Sequence, residues 1–232
     1  MISLFSALSV KKALDDVLLH AFTTRHAVDV EVTFDPTTIL VEKIGAGAEP
    51  DVVIAVSSAF AGLEATGAVI PESRVVLAKS GIGIATAPEL VDPDIATVDA
   101  LRATLTSARS VAYSRSGASG IYFARLLEEL GIADEVNKRA TVVEKGFTAL
   151  AVTDGRADLA VQQISELKFV PQARVVGPLP DGAQHYSELS AALGRTAPPE
   201  AAALLRFLSS AEAMAAYRDA GLVTEGSPRT SA

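Results

Sequence analysis

Short apolar runs alternate with stretches of helical period along the whole chain, and that rhythm admits few architectures. Residues 2–5 read as a strand. Residues 9–22 read as a helix with Val10, Leu14, Val17, Leu18 and Ala21 on one face and Lys11, Lys12, Asp15 and Asp16 on the other. Over residues 28–34 Val28, Val30, Val32 and Phe34 alternate with Asp29, Glu31 and Thr33, which is a strand pattern. The same reading gives strands at 51–56, 74–86 (interrupted by Gly81 and Gly83), 110–113, 141–143, 158–161, 174–176 and 186–193. Helices fall at 37–46, after a cap at Ser57-Ser58, and at 98–108, 119–130, 147–153, 199–208 and 211–220, before a polar tail from Thr224. The fold class expected is α/β.

At 232 residues the chain is about one and a half times a usual domain, enough for one large domain or two lobes. No Pro/Gly/Ser linker separates two sequence-contiguous domains, so two lobes would share crossover strands near residues 74–86 and 178–188. Composition removes several function classes. There is no cysteine, hence no disulfide, thiolate metal site or Cys nucleophile. His20, His26 and His185 are scattered, which argues against a histidine metal centre. Twenty Lys and Arg against 28 Asp and Glu leave a net charge of −8, a poor match for nucleic acid or an anionic membrane surface. No run approaches the roughly 18 apolar residues of a membrane span. The first residues, Met1-Ile-Ser-Leu-Phe-Ser, carry no leader pattern. The expectation is a cytoplasmic chain as it stands, or a periplasmic one if Met1 replaces a cleaved leader.

The informative pattern is chemical. Strands repeatedly end in Ser, Thr or Gly before a helix begins: at residues 6–9, 36–38, 57–58, 114–120 and 145–146. Each junction presents backbone N–H groups, a hydroxyl and the positive end of a helix dipole. In an α/β sheet such turns share one edge, so their natural guest is an anion held by hydrogen bonds. Ser and Thr are also ordinary helix caps, which is the bland alternative at any single junction. The 114–120 loop, Ser-Arg-Ser-Gly-Ala-Ser-Gly, holds more donors than capping needs and lacks the Gly-Lys-Ser/Thr of a Walker loop. Glu144 and Lys145 read as either a solvated pair or site groups. Gln162 and Gln163, following the 158–161 strand, either read a ligand or pair with loop backbone. Lys79 reads as an exposed strand residue, and His185 and Tyr186 as structural. No Ser/His/Asp triad and no acid–base carboxylate pair can be assembled.

Four segments together carry a resemblance: residues 2–9 (ISLFSALS), 44–54 (IGAGAEPDVVI), 117–122 (GASGIY) and 149–151 (ALA). In order over roughly residues 2–222, they resemble the molybdate-binding components of ABC importers. The resemblance implies a two-lobed type II periplasmic-binding-protein fold, each lobe a mixed β-sheet flanked by helices, with an anion cleft between the lobes. It implies lobe 1 at residues 1–78 plus 188–232 and lobe 2 at 79–187. It also implies an oxyanion gripped by hydroxyls and backbone amides, with no cofactor, no metal, and an ABC transporter membrane subunit as partner.

Carried over by position, the family's serine ligands fall on Ser9 and Thr37, and its backbone donors on Ser119 and on Lys145 or Gly146. The family's binding tyrosine falls on Gln163, a departure, and Arg115 beside Ser116 adds a guanidinium suited to a carboxylate. A side branch of the fold resembles aconitate isomerase, for which the 162–167 run and the Ser/Gly/Arg loop would suit a tricarboxylate. The first reading is a binding module for a molybdate- or tungstate-like oxyanion; the alternative is an isomerase of a di- or tricarboxylate using Arg115 with Glu144 or Lys145 for proton transfer.

Overall fold

The computed structural model describes residues 1–225. In chain order its elements are β1 (Ile2–Ser6), a 3-10 turn (Leu8–Val10), α1 (Lys11–Ala13), a π-helical turn (Leu14–Leu18), α2 (Leu19–His26), β2 (Val30–Phe34), α3 (Thr37–Gly45) and β3 (Val52–Val56). After a 3-10 turn at Ser57–Ala59 come α4 (Phe60–Ala65), β4 (Val75–Thr86), α5 (Val98–Ser107), β5 (Val111–Tyr113), α6 (Ala118–Glu129), α7 (Ala133–Asn137) and β6 (Thr141–Val142). The chain closes through α8 (Leu150–Thr153), β7 (Leu159–Gln163), α9 (Ile164–Leu167), β8 (Arg174–Pro178), β9 (Tyr186–Leu193), α10 (Pro199–Leu208) and α11 (Ala211–Asp219). This is the α/β class that the alternation of runs requires. Among the described residues no helix is long and apolar enough to cross a membrane.

The chain divides into two compact units. Unit 1 is Met1–Ser80 with the described residues from Ser187 onward, and unit 2 is Gly81–Tyr186. In unit 1 β1 lies between β2 and β3, parallel to both, and β3 pairs antiparallel with β9. Its main core gathers Leu4, Leu14, Leu18, Phe22, Ile54 and Tyr217, all nearly without solvent contact. Phe22 packs against Phe207 with ring centroids 5.7 Å apart and stacks on His26 at 4.5 Å. Replacing Phe22 by alanine should cost about 3–5 kcal/mol through lost burial and the cavity left behind. Urea unfolding checks it: a midpoint within error of wild type would show that the site collapses without cost.

In unit 2 β4 pairs antiparallel with β7 and β8, β7 runs parallel to β5, and β5 parallel to β6. Ile82, Ile84, Leu105, Phe123, Leu127 and Val161 form its main core. β4 is continuous through Gly81 and Gly83. Glycine is needed at position 83 for packing, because a Cβ there would sit 2.7 Å from the Gly177 carbonyl oxygen and 2.8 Å from Ile164 Cγ1.

Several expectations are corrected. Val17, placed by a 3.6-residue period on the apolar face, is 43% exposed. The π turn at Leu14–Leu18 adds a residue to that turn and rotates Val17 off the face shared by Val10, Leu14, Leu18 and Phe22. Gln162 and Gln163 are the last two residues of β7 rather than residues after it. The 147–153 helix shortens to α8, and the short helices α7 and α9 carry too few apolar residues to show a period. Ser57 does not cap: its Oγ lies 2.7 Å from Ser190 Oγ. In the tail Thr224 is buried, and its hydroxyl accepts from Arg218 Nη1 at 2.9 Å. Residues 226–232, part of the lobe 1 range above, lie outside the described residues.

Candidate functional site

Parallel pairing decides which turns in unit 1 are neighbours. Ser6 of β1 stands in register with Phe34 of β2 and Ile54 of β3, so the turns that follow these three strands share one edge of the sheet. The turns are tied together directly. Asp35 N–H donates to the Ser6 carbonyl at 3.2 Å, and Ala7 N–H to that of Ile54 at 2.8 Å. Thr37 Oγ1 accepts from the Val56 N–H at 3.1 Å, bridging the turn after β2 to the end of β3. α3 starts after Pro36 with no side-chain cap, and no hydrogen bond among the described residues uses the N–H of Thr37 or Ile39. Asp35, buried, faces Lys43 Nζ at 2.7 Å, so its charge is compensated at this edge. Ser9 is buried just beyond β1, in the 3-10 turn that opens the first helix. Two of the expected ligand residues, Ser9 and Thr37, therefore stand on the same edge of unit 1.

Unit 2 repeats the arrangement. β5, β6 and β7 are parallel, and their C-terminal ends lead into the 114–117 loop, the 143–147 turn and α9. Ser114 folds the loop by accepting the N–H groups of Ser116 and Gly117 on its Oγ, at 3.3 and 3.2 Å. Ser116 Oγ donates to the Glu144 carbonyl at 2.9 Å and joins the loop to the next turn. That turn is joined to β7 by Gln162. Its Oε1 accepts from Thr148 N–H at 2.7 Å and Thr148 Oγ1 at 3.0 Å, and its Nε2 donates to the Gly146 carbonyl at 2.9 Å. Of the two readings of Gln162, pairing with loop backbone is what the structure shows.

The donors left over are backbone groups and one guanidinium. No hydrogen bond among the described residues uses the N–H of Ala118, Ser119 or Gly120 at the uncapped start of α6, nor that of Gly146 or Phe147. Arg115 is exposed and makes no hydrogen bond or ion pair with the described residues, so its guanidinium is available. Glu144 and Lys145 are exposed on the neighbouring turn, Gly146 holds that turn at φ 97°, and Gln163 is buried at the end of β7. Unit 2 thus brings Arg115, Ser116, Ser119, Glu144, Lys145, Gly146 and Gln163 to one sheet edge.

Glu166, part of the 162–167 run but not singled out within it, is only 8% exposed within α9 on this same edge. Its signal was the acidic residue in a short run directly after two strand glutamines. His185 belongs elsewhere: it stacks on Tyr122 at 4.7 Å, and burial, with the Arg125 charge second, lowers its pKa below the usual imidazole value. A hollow of about 490 Å³ in unit 1, walled by Val41, Ile44, Leu63 and Pro50, contains none of the candidate donors. Among the described residues no group of three or more metal-ligating side chains stands together.

In each unit the parallel strand ends carry N–H and hydroxyl donors, an arrangement able to accept an anionic group. The chain belongs to the bacterial extracellular solute-binding protein family, whose model matches residues 2–223. The fold is that of the type II periplasmic binding proteins. The periplasmic molybdate-binding protein of Azotobacter vinelandii superposes with a TM-score of 0.80 at 17% identity, over 97% of this chain and 99% of that one. Peb3 from Campylobacter jejuni superposes at 0.71 and 17% identity, over 97% and 100%. In sequence, the chain is 41% identical over 175 residues to an aconitate isomerase from a Pseudomonas species, covering 74% of this chain. The match spans 66% of that relative, just under two thirds of its length.

Proposed function

We propose that the chain binds a small polycarboxylate and isomerises it, as the name of its Pseudomonas relative describes, with aconitate as the first substrate to test. The observation that carries this reading is the available guanidinium of Arg115 inside a turn flanked by five unused N–H groups. A guanidinium fork matches a carboxylate, and backbone donors hold further carboxylate oxygens without a rigid counter-charge. The 41% identity to an aconitate isomerase points the same way.

Moving the double bond of aconitate is a proton transfer. A base removes a proton from the saturated carbon beside the double bond. The electron pair spreads through the alkene onto a carboxylate, and a proton returns at the other end of the allylic system. Oxyanion donors at the strand ends stabilise the charge that builds up on that carboxylate. Glu144 and Lys145, on the turn joined to the Arg115 loop by Ser116, are the proton-transfer groups in this reading.

A second reading is favoured by one feature: apart from Arg115 and Lys145, the donors are neutral hydroxyls and amides. Such a set suits a tetrahedral oxyanion of the molybdate or tungstate type, delivered to the membrane subunit of an ABC importer. Both readings place the chain in the periplasm, the usual setting of its family.

The test follows the ultraviolet absorbance of cis- and trans-aconitate in the presence of the protein, beside a thermal-shift panel of both isomers, citrate, molybdate, tungstate and sulfate. At a ligand concentration of 100 times Kd the linkage is about 2.7 kcal/mol, a rise of roughly 5–10 °C in Tm for a chain of this size. Turnover with stabilisation by aconitate is expected. Stabilisation by aconitate without turnover removes the isomerase, and stabilisation by molybdate alone leaves only the importer reading. A flat panel removes both.

A further inference from the structure

We propose that Gln162 is the positioning residue that sets the 144–148 turn for anion binding. The inference rests on the function proposed above. Its basis is a set of three hydrogen bonds made by one buried side chain. Gln162 is 3% exposed, sits next to last in β7, and spends its carboxamide oxygen on both donors of Thr148 and its carboxamide nitrogen on the Gly146 carbonyl. Thr148 is itself fully buried, and its hydroxyl also reaches the Val161 carbonyl at 3.4 Å.

The turn needs such a holder. It follows β6, a strand of only two residues, and passes through the left-handed backbone of Gly146 before α8, which is four residues long. Regular secondary structure contributes little there, so the carboxamide supplies the fixed points on both sides of the unused N–H groups of Gly146 and Phe147. A donor that must meet a developing negative charge has to be held in place before the ligand arrives, since ordering it afterwards subtracts from binding. Gln162 does this through Gly146 and Thr148, without itself needing to touch the ligand.

The side chain must be donor and acceptor at once. Gln162→Met keeps the volume and removes both functions. Gln162→Glu keeps the acceptor, but its carboxylate cannot donate to the Gly146 carbonyl. Once protonated, that acid again offers one donor and one acceptor and reproduces the native pattern. A pH signature follows that loss of packing would not produce.

The experiment measures the affinity of wild type, Gln162→Met and Gln162→Glu for cis-aconitate and for molybdate by calorimetry, from pH 4.5 to 8. Circular dichroism verifies the fold at each pH. For the anion that wild type binds, the expected results are a Kd raised about tenfold or more in Gln162→Met. In Gln162→Glu the Kd is raised by a similar factor at pH 8 and falls back toward wild type as the pH is lowered through the acid's titration. Folded variants with wild-type affinity, or a Gln162→Glu profile parallel to wild type at every pH, overturn the positioning role and leave the proposed function standing. A wild-type protein that binds neither anion overturns the proposed function and this inference with it.

Discussion

Alanine at position 120 will destabilise unit 2 by roughly 3 kcal/mol or more and remove anion binding with it. A Cβ at Gly120 would overlap the Ser114 carbonyl oxygen, and the atom it meets is backbone, unable to swing aside as a flexible side chain could. Relief requires moving either the first turn of α6 or the 114–117 loop. Both carry donors, so stability and binding fail together. Two substitutions calibrate the effect. Gly117→Ala meets only Ser114 Oγ at 3.6 Å and Cβ at 3.7 Å, an ordinary distance, and should leave the fold intact. Gly62→Ala, inside α4 with open space around it, should stabilise by about 0.5–1 kcal/mol. Urea midpoints of the three variants provide the measurement. A Gly120→Ala midpoint equal to wild type would mean that the loop does not approach the helix as described.

Arg115→Ala should do the reverse, sparing the fold and removing function. The side chain is exposed and bonded to no described residue, so the urea midpoint should stay within about 0.5 kcal/mol of wild type. Losing a charged hydrogen-bond partner for a carboxylate is worth about 1.5–3 kcal/mol, or roughly 10- to 150-fold in kcat/KM for aconitate. Arg115→Lys keeps the charge but not the planar fork and should recover only part of that loss. Molybdate affinity, if present, should change far less, because a tetrahedral oxyanion is satisfied by the remaining amide and hydroxyl donors. An Arg115→Ala protein with wild-type kcat/KM would sink the carboxylate role of this residue.

Local patterns in the chain gave the elements their type and most of their extent. The alternation of Val30, Val32 and Phe34 needs no partner strand to be read. Where the reading slipped, a tertiary contact had overridden the local rule. Val17 obeys the helical period, but the π turn beneath it does not. Ser57 looks like a cap because caps are the local use of serine, and only the return of β9 brings Ser190 within 2.7 Å. Gln162 left two readings open, a ligand reader or a partner of loop backbone, because nothing within a few residues of it needs an amide, and only the fold chose the second. Its partners lie 14 to 16 residues earlier in the chain.

The sequence by itself determined the α/β class, the donor-rich character of the strand ends and the absence of thiol chemistry. Each of these is a property of composition and short-range spacing. Which donor turns become neighbours was decided only by strand order and parallel register, which place Ser116 against Glu144 and Gly146 against Gln162. Those pairings join residues far apart in the chain. Their free energy comes from burying a whole sheet, and no local stretch of residues encodes it.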